Sequence, residues 1–583
     1  MERRGFLPAA LLAAAGCAAY LNSFSAPFLF DDFYHIVYNP RIRDSLHSFQ
    51  FLTGTTRPLV AFTLAVNYAL SGLNVWGYHA FNLAIHLAAG LTLLGILRRT
   101  LKGPEAEDLA LVASLIWLIH PLQTESVTYL IQRGESLMGL FYLLTLYCVI
   151  RGRPGWAILC CALGMLTKPV MVTAPVIVLI YARIFLAPSW KELLRRNGWL
   201  YAGLFATWAI LPLTLSQGTQ EYAGLVGMDL KKVSPLGYLL TQPGVILHYL
   251  RLSFWPHPLL LDTQWPTAKT FVEIVPPVAA VASLLVLTLW ALRRRPEIGF
   301  LGVWFFGILA PTSSFLPIVD AAFEHRIYLP LAAVAVGVVL AARRLCGRRK
   351  TLFQVILFAG VLALSLATVR RNAVYSDPVS FWQEHLSHRP GNARALVNLG
   401  AALQQQGRSD EAEEAFKSAL KFRPDLADAH NNLAYLLLLK GNLEEAFARY
   451  REALRLAPDS AMARKGMGMT LHRMGRLEEA AAEYEQALRL NPVFGDARVQ
   501  LGLIRQTQGR YPEAFRQYRE ALRLNPKEAA AWNNIGTLLF QQGKWREAAP
   551  FFRQASELDP DYTEARDNLR KTLVLLENNF TGP

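Results

Sequence analysis

The chain is poor in charged residues: Asp, Glu, Lys and Arg make up 18% of its 583 residues, whereas hydrophobic residues make up 53%. This composition excludes a disordered chain and an ordinary soluble enzyme, and the length predicts two or more domains. Only five cysteines are present and none forms a CxxC pair, so neither a disulfide framework nor a cysteine metal site is expected. The motif GxxxxGK[ST] is absent, so no P-loop is expected, and the motifs HExxH and GxSxG are absent as well.

The positive charge is divided unevenly along the chain. Residues 1–371 hold 31 Lys and Arg against 17 Asp and Glu, whereas residues 372–583 hold 28 against 27. Of the net charge of +15, +14 therefore belongs to the apolar part, where basic residues orient membrane loops. We accordingly expect membrane lipids as partners and no nucleic acid.

Apolar runs recur from residue 5 to residue 369, and most approach the ~20 residues that a membrane-spanning helix needs. They predict about eleven spans. Residues 233–256 are interpreted as an interfacial or re-entrant helix, because counting them as a span would move the later basic loops to the outer side of the membrane. The predicted spans are residues 5–22, 76–97, 108–120, 136–150, 155–167, 170–187, 198–215, 272–292, 298–316, 327–342 and 351–369. Loop charge places the N-terminus in the cytoplasm, and an odd number of spans then places the chain after residue 370 outside.

The second part of the chain repeats every 34 residues. Turn glycines, paired small and aromatic residues, and prolines keep this period, which is the tetratricopeptide (TPR) pattern of two antiparallel helices per repeat. The prolines are Pro390, Pro424, Pro458, Pro492, Pro526 and Pro560. The period predicts a connector at 372–390, five repeats at 391–424, 425–458, 459–492, 493–526 and 527–560, and a capping helix at 561–577.

An array of such repeats forms a concave groove that favours binding of a protein or peptide. Four asparagines recur on the first helices of the repeats and are candidates to hold a peptide backbone, although solvated helix surface explains them equally well. They are Asn398, Asn432, Asn533 and Asn534.

An acidic pair, Asp31 and Asp32, follows the first predicted span, with His35 close behind. Adjacent acids near apolar surface can have raised pKa values, or can bind a metal ion or an acceptor hydroxyl. A solvated pair in a loop is the simpler interpretation of the pair taken alone.

Further ionisable residues recur at the predicted outer ends of the spans, where apolar residues would suffice. The runs 108–120 and 155–167 are only ~20 Å long as helices and cannot cross a full bilayer. The ionisable residues at their outer ends are therefore predicted to lie below the outer lipid surface, in a polar bowl sunk into the membrane. Arg and Lys in such a bowl suit a lipid phosphate, whereas snorkelling to headgroups is the alternative for each. The candidates for substrate binding are His35, Arg57, His79, His120, Glu125, Arg133, Lys168, His257, Glu324, His325 and Arg326.

Together these features resemble the TMTC family, the transmembrane and tetratricopeptide-repeat O-mannosyltransferases. The resemblance rests on the whole arrangement and on five motifs. These are FLFDDFYHI, RPLVAFTLAVNYALSGLNVWGYHAFNLAIHL, HPLQTESV with the QRGE that follows, WPHPL and FEHRIYLP.

The resemblance implies a GT-C glycosyltransferase fold for residues 1–371 and transfer of a mannose-like sugar, typically with inversion, from a polyprenyl- or dolichyl-phosphate carrier to a protein hydroxyl. It implies Asp31 as the base and Asp32 as its partner or a metal ligand. Related protein O-mannosyltransferases carry Asp-Glu here, so the division of roles stays open. Glu125, Arg133 and the 324–326 patch would line the donor pocket, with Arg326 or Lys168 on the phosphate.

Several alternatives remain open at this level. GT-C enzymes differ in their use of a divalent cation, and one acidic pair does not complete a metal site, which favours a metal-independent reaction. The membrane would be a bacterial inner membrane or the endoplasmic reticulum, and the carrier undecaprenyl or dolichyl phosphate accordingly. A non-enzymatic membrane scaffold that assembles an envelope or secretory complex is the second functional hypothesis.

Overall fold

We describe the protein from a computed structural model. The structure describes residues 2–39, 41–42, 55–217, 234–315, 317–318 and 320–580. It is 79% helical, and these residues contain no strand, so the predicted all-α class is confirmed. The chain divides into two compact units, Met1–His388 and Arg389–Pro583.

The helices of the first unit are mostly apolar, and proline occupies the first position of several of them, where its missing N–H leaves no hydrogen bond unmade. They are α1 Glu2–Tyr20, α2 Pro58–Ser71, α3 Val75–Thr100, α4 Ala106–Leu118, α5 Thr124–Val127, α6 Arg133–Ile150, α7 Pro154–Met165, α8 Ala174–Phe185, α9 Trp190–Ala206, α10 Ile210–Gln217, α11 Pro235–Phe254, α12 Phe271–Arg294, α13 Pro296–Leu309, α14 Leu331–Cys346, α15 Lys350–Val374 and α16 Pro378–His388.

Six helical segments are long and apolar enough to cross a membrane. They are Phe6–Ser23, Val75–Thr100, Leu130–Ile150, Trp190–Ser216, Phe271–Arg294 and Lys350–Val374. Four shorter apolar helices accompany them, so the total of about eleven spans stays a prediction. The segment interpreted as an interfacial helix, residues 233–256, contains α11. Residue 233 of this segment and residue 316 of the predicted span 298–316 lie outside the described residues.

Two irregular segments, residues 119–131 and 324–330, are buried throughout within the first unit. Irregular backbone is stable in such surroundings only where its polar groups are hydrogen-bonded inside the protein. Trp117 and Trp304 meet this need, because their indole N–H groups donate to the Tyr328 and Leu329 carbonyls at 2.8 Å. The His86 ring lies between the Tyr328 hydroxyl and the Leu118 carbonyl, 2.8 Å from each.

The second unit consists of paired helices. A glycine with φ between 73° and 83° turns the chain within each repeat, a backbone conformation that other residues rarely adopt. The helices are α17 Ala393–Gln405, α18 Ser409–Phe422, α19 Ala427–Leu439, α20 Leu443–Leu456, α21 Ala461–Arg473, α22 Leu477–Leu490, α23 Gly495–Thr507, α24 Tyr511–Leu524, α25 Ala529–Gln541, α26 Trp545–Leu558 and α27 Thr563–Phe580.

One repeat departs from the pattern in its packing. The other four place a glycine against their buried aromatic ring, whereas the second repeat has Ala434 at this position. Its aromatic residue, Tyr450, is buried and packs against Gly466 of the next repeat, where an added Cβ would overlap the ring. Gly466 therefore provides the space that Ala434 removes.

We predict that Gly466→Ala lowers the free energy of unfolding of residues 389–583 by about 1–3 kcal/mol, because the buried ring has nowhere to move. Urea denaturation followed by circular dichroism measures this. Gly495→Ala is the matched control, since a Cβ there meets open space within a helix. Equal stability of the two variants would contradict this account of the packing.

Candidate active site

The two acids of the predicted pair lie in different surroundings. Asp32 is 1% exposed, and its carboxylate accepts hydrogen bonds from the backbone N–H groups of Leu29 (3.0 Å) and Ile131 (2.8 Å). Asp31 is partly exposed, and its backbone N–H donates to the Tyr129 hydroxyl at 3.0 Å. Asp32 thus ties the loop after α1 to the segment before α6, and this tie presents Asp31 beside Tyr129.

The backbone at this point is constrained. Phe30, directly before the acids, has φ 47°, in the left-handed region that non-glycine residues seldom occupy. Such conformations persist only where the surroundings impose them, and they cluster at functional sites. Burial raises the pKa of Asp32 to about 8, although its backbone hydrogen bonds oppose the shift.

His79 and Arg133 hold the surroundings of the acidic pair and are themselves buried. The His79 ring lies 2.9 Å from the Ala26 carbonyl, in the loop that leads to the acids. Arg133 is fully buried, and its guanidinium donates to the Asn82 side chain at 2.6 Å and to two backbone carbonyls. His79 therefore contacts the loop, whereas Arg133 contacts helices α2 and α3. The resemblance implied a place for Arg133 in the donor pocket, which stays a prediction.

A buried charged cluster joins the two irregular segments. The Glu125 carboxylate accepts a hydrogen bond from the His325 backbone N–H at 2.9 Å and lies 2.6 Å from His325 Nδ1. Burial and the nearby Glu324 charge raise the pKa of Glu125 well above its usual value. Burial and the charges of nearby basic groups hold the pKa of His325 well below its usual value. Both shifts favour the neutral forms of the two groups, which a short hydrogen bond joins.

Three basic side chains surround this couple, since the charges of Lys168, Arg326 and Arg57 all act on His325. The Lys168 ammonium pairs with Glu135, and burial is the main cause that lowers its pKa. Arg326 donates to the carbonyls of residues 320 and 321 at 2.7 and 2.8 Å, so backbone acceptors fix its orientation. Arg57, Glu125, Lys168, His325 and Arg326 therefore lie in one region, and the polar bowl stays a prediction.

Arg371 joins the cluster, although sequence reasoning did not single it out. It lies near the end of α15, is 9% exposed, and its charge acts on both Glu125 and Glu324. Glu324 accepts a hydrogen bond from the Leu260 backbone N–H, and burial raises its pKa to about 8. In the sequence, Arg370 and Arg371 follow directly after the last apolar run, and basic residues at the end of such a run are typical of any membrane helix.

The remaining histidines of the prediction make other contacts. His120 is buried, with Nε2 3.2 Å from the Ser253 carbonyl and Nδ1 accepting from the Leu122 N–H. His35 is partly exposed on the turn after the acids. His257 is exposed, with its ring centre 5.4 Å from that of His388.

The four asparagines of the repeats do not share one environment. Asn533 is fully buried and its side-chain amide donates to Tyr562 and Glu564, so it joins the last repeat to the capping helix. Asn432 accepts a hydrogen bond from the Asn431 side chain at 3.1 Å. Asn398, Asn432 and Asn534 are partly exposed, which leaves them the better candidates for a ligand.

Among the described residues, no group of three or more His, Cys, Asp or Glu side chains is arranged to hold a metal ion. Both carboxylate oxygens of Asp32 already accept backbone hydrogen bonds, which does not suit a metal ligand.

The fold and this site define a helical membrane protein with a C-terminal TPR unit. The family model described as the C-terminal domain of cilia and flagella-associated protein 70 matches residues 361–579. Curated relatives confirm the resemblance to the TMTC family. Human protein O-mannosyl-transferase TMTC1 is 24% identical, covering 71% of this chain and 55% of the relative. Caenorhabditis elegans protein O-mannosyl-transferase F38B6.6 is 24% identical (70% and 62%), and mouse TMTC4 is 25% identical (68% and 64%).

The chain therefore spans less than two thirds of the length of these relatives. Two solved structures are similar to it over the repeats. YrrB, a TPR protein with an unusual peptide-binding site, is 20% identical with a TM-score of 0.28, covering 32% of this chain and 96% of that chain. The thermophilic TPR protein TTC0263 of Thermus thermophilus is 23% identical with a TM-score of 0.28, covering 31% and 99%.

The different surroundings of the two acids lead to a prediction about stability. Asp32→Asn places an amide N–H₂ opposite a buried backbone N–H, so we expect it to lower the unfolding free energy by about 1–3 kcal/mol. Asp31→Asn, at a partly exposed position, is expected to melt within a few degrees of the wild type. Thermal unfolding of the purified full chain in detergent measures both, and a larger loss for Asp31→Asn would contradict the assignment.

Proposed function

We propose that the chain is an integral-membrane glycosyltransferase that moves a mannose-like sugar from a polyprenyl- or dolichyl-phosphate carrier to a protein hydroxyl. One observation carries the proposal. Asp31 lies partly exposed beside Tyr129, and the charges of Asp31 and of the buried Glu125 both act on the Tyr129 hydroxyl. An accessible acid thus adjoins a buried charged cluster, in a chain whose curated relatives are named protein O-mannosyl-transferases.

In this mechanism the Asp31 carboxylate accepts the proton of the acceptor hydroxyl as the hydroxyl oxygen attacks the anomeric carbon. The bond between that carbon and the carrier phosphate breaks, and the phosphate leaves with the electron pair. Attack opposite the leaving group inverts the configuration. Asp32 acts as a positioning residue, because its hydrogen bonds hold the loop that carries Asp31.

The charged cluster supplies the electrostatics of the transfer. Negative charge develops on the departing phosphate, and fixed positive groups in a site of low dielectric stabilise it without reorganisation. Arg57, Lys168 and Arg326 provide that potential near His325. The partners of Lys168 and Arg326 keep these two side chains oriented before the donor arrives.

We place the reaction on the outer or lumenal face, with the N-terminus in the cytoplasm and the repeats on the outer or lumenal side. The support is the distribution of basic residues in the short loops. The repeats would recruit the acceptor protein, with Asn398, Asn432 and Asn534 as candidate contacts. Tethering raises the acceptor's effective concentration at a weakly specific site.

The test is sugar transfer by the full chain in proteoliposomes supplied with a labelled polyprenyl-phosphate sugar and envelope or secretory proteins. We expect Asp31→Asn to reduce transfer at least ~100-fold, since general base catalysis contributes about 10²–10⁴-fold. Folding and binding of the donor should be retained. Glu414→Gln, an exposed charge change in the second unit, is the control and should transfer like the wild type.

Two results would overturn the proposal in different ways. Equal transfer by wild type and Asp31→Asn would move the chemistry away from the acidic pair. No transfer by either protein with mannose, glucose and aminosugar donors would favour the membrane-anchored TPR scaffold.

A further inference from the structure

A cavity of about 450 Å³ opens in the first unit beside α15. Much of its lining is apolar and includes Leu259, Ala363, Leu366 and Ala367. Leu366 is 52% exposed, as one of several large apolar side chains along the outward face of α15. The cavity is therefore continuous with a surface that lipid chains cover when the helix spans a membrane.

The polar part of the lining is positively charged on balance. Arg370 and Arg371 contribute to it with His257, against the single carboxylate of Glu384. Arg370 is exposed near the end of the span, as a side chain that reaches a headgroup would be. Arg371 is only 9% exposed and does not snorkel, so bulk headgroups do not explain it.

Arg371 is hydrogen-bonded to the Tyr375 side chain, but not all of its donor groups have partners. Its guanidinium lies over the rings of Tyr375 and Phe381, 5.2 and 5.5 Å from their centres. Its Nη1 is 3.6 Å from the Glu384 carboxylate, longer than a hydrogen bond, and its buried Nε has no hydrogen-bond partner among the described residues. A planar, charged donor group with an unmet donor suits an oxyanion such as phosphate.

We propose that this cavity binds the phosphate of a long-chain membrane lipid, and that the phosphate displaces Glu384 from Arg371. The lipid chain would lie along the apolar wall and the exposed face of α15. Glu384 belongs to α16, so an internal carboxylate on that helix competes with the ligand. The assignment of the lipid as the sugar carrier rests on the proposed function, whereas the phosphate site does not.

The electrostatic connection to the charged cluster supports this placement. The Arg371 charge acts on Glu125 and Glu324, so a phosphate bound to Arg371 would adjoin the buried acids and His325. By contrast, Lys168 is paired with Glu135 and Arg326 with backbone carbonyls. Arg371 is therefore a better contact for the ground-state phosphate than either residue that the sequence suggested.

The test is lipid binding by the purified full chain in detergent, with the bound fraction read by native mass spectrometry across a titration. The probes are undecaprenyl phosphate, undecaprenol without the phosphate, and phosphatidic acid. Arg371→Gln should weaken binding of undecaprenyl phosphate at least ~10-fold, because a charge-assisted contact is lost. Glu384→Gln should tighten it several-fold, because the competing carboxylate is removed. Glu414→Gln, equal in charge change and remote in sequence, should match the wild type.

The outcomes separate the proposal from its alternatives. Unchanged affinity of Glu384→Gln for undecaprenyl phosphate, or equal binding of undecaprenol, would overturn it. If Arg371→Gln fails to fold, the affinities of Arg370→Gln, at the exposed neighbour, and of Glu384→Gln for undecaprenyl phosphate still test the proposed site. Equal effects on phosphatidic acid would keep the phosphate site and assign it to bulk lipid. The lipid-binding assay uses no sugar and therefore does not depend on the proposed function. If the predicted changes in affinity are observed but the chain transfers no sugar in proteoliposomes, only the proposed function is contradicted.

Discussion

The constraint on which the first unit depends is the free-energy penalty for burying charged groups among apolar helices. Ions removed from water are tolerated only where partners and hydrogen bonds replace the lost solvation. Glu135 with Lys168 and Glu125 with His325 meet this condition as pairs, whereas Arg133 meets it with one side chain and two backbone carbonyls. Replacing such pairs with well-packed apolar residues is often neutral or stabilising. Stability alone therefore gives little reason for the cluster, and function gives a better one.

The same constraint explains where the backbone is irregular. Residues 119–131 and 324–330 are buried without forming long helices, and the Trp117, Trp304 and His86 side chains supply partners that a helix would have provided internally. This arrangement brings the chemistry-bearing side chains of both segments together. Continuous helices would have placed polar residues on one face at a fixed spacing and would not have paired Glu125 with His325.

Sequence reasoning predicted the parts of the fold that repeat and missed those that depend on tertiary contacts. The 34-residue period predicted the helical pairs, because each repeat packs only against its neighbours. The acids and bases of the site were recognisable as ionisable groups beside apolar runs. Their roles were not, since a buried residue that contacts a loop, such as His79, has the same sequence signal as one that faces a ligand. Likewise Asn533 carried the repeat signal although it joins the capping helix, and Arg371 resembled an ordinary basic end of a span.

The most direct test of the central claim, that the buried charges exist for chemistry, is the double variant Glu135→Gln/Lys168→Met compared with the wild type for both melting temperature and sugar transfer. The account predicts a melting temperature within a few degrees of the wild type, since removal of a whole buried pair leaves no unpaired charge. It also predicts transfer reduced at least ~100-fold, through loss of the Lys168 charge. A large fall in melting temperature with transfer unchanged in the folded fraction would contradict the account and make the pair structural.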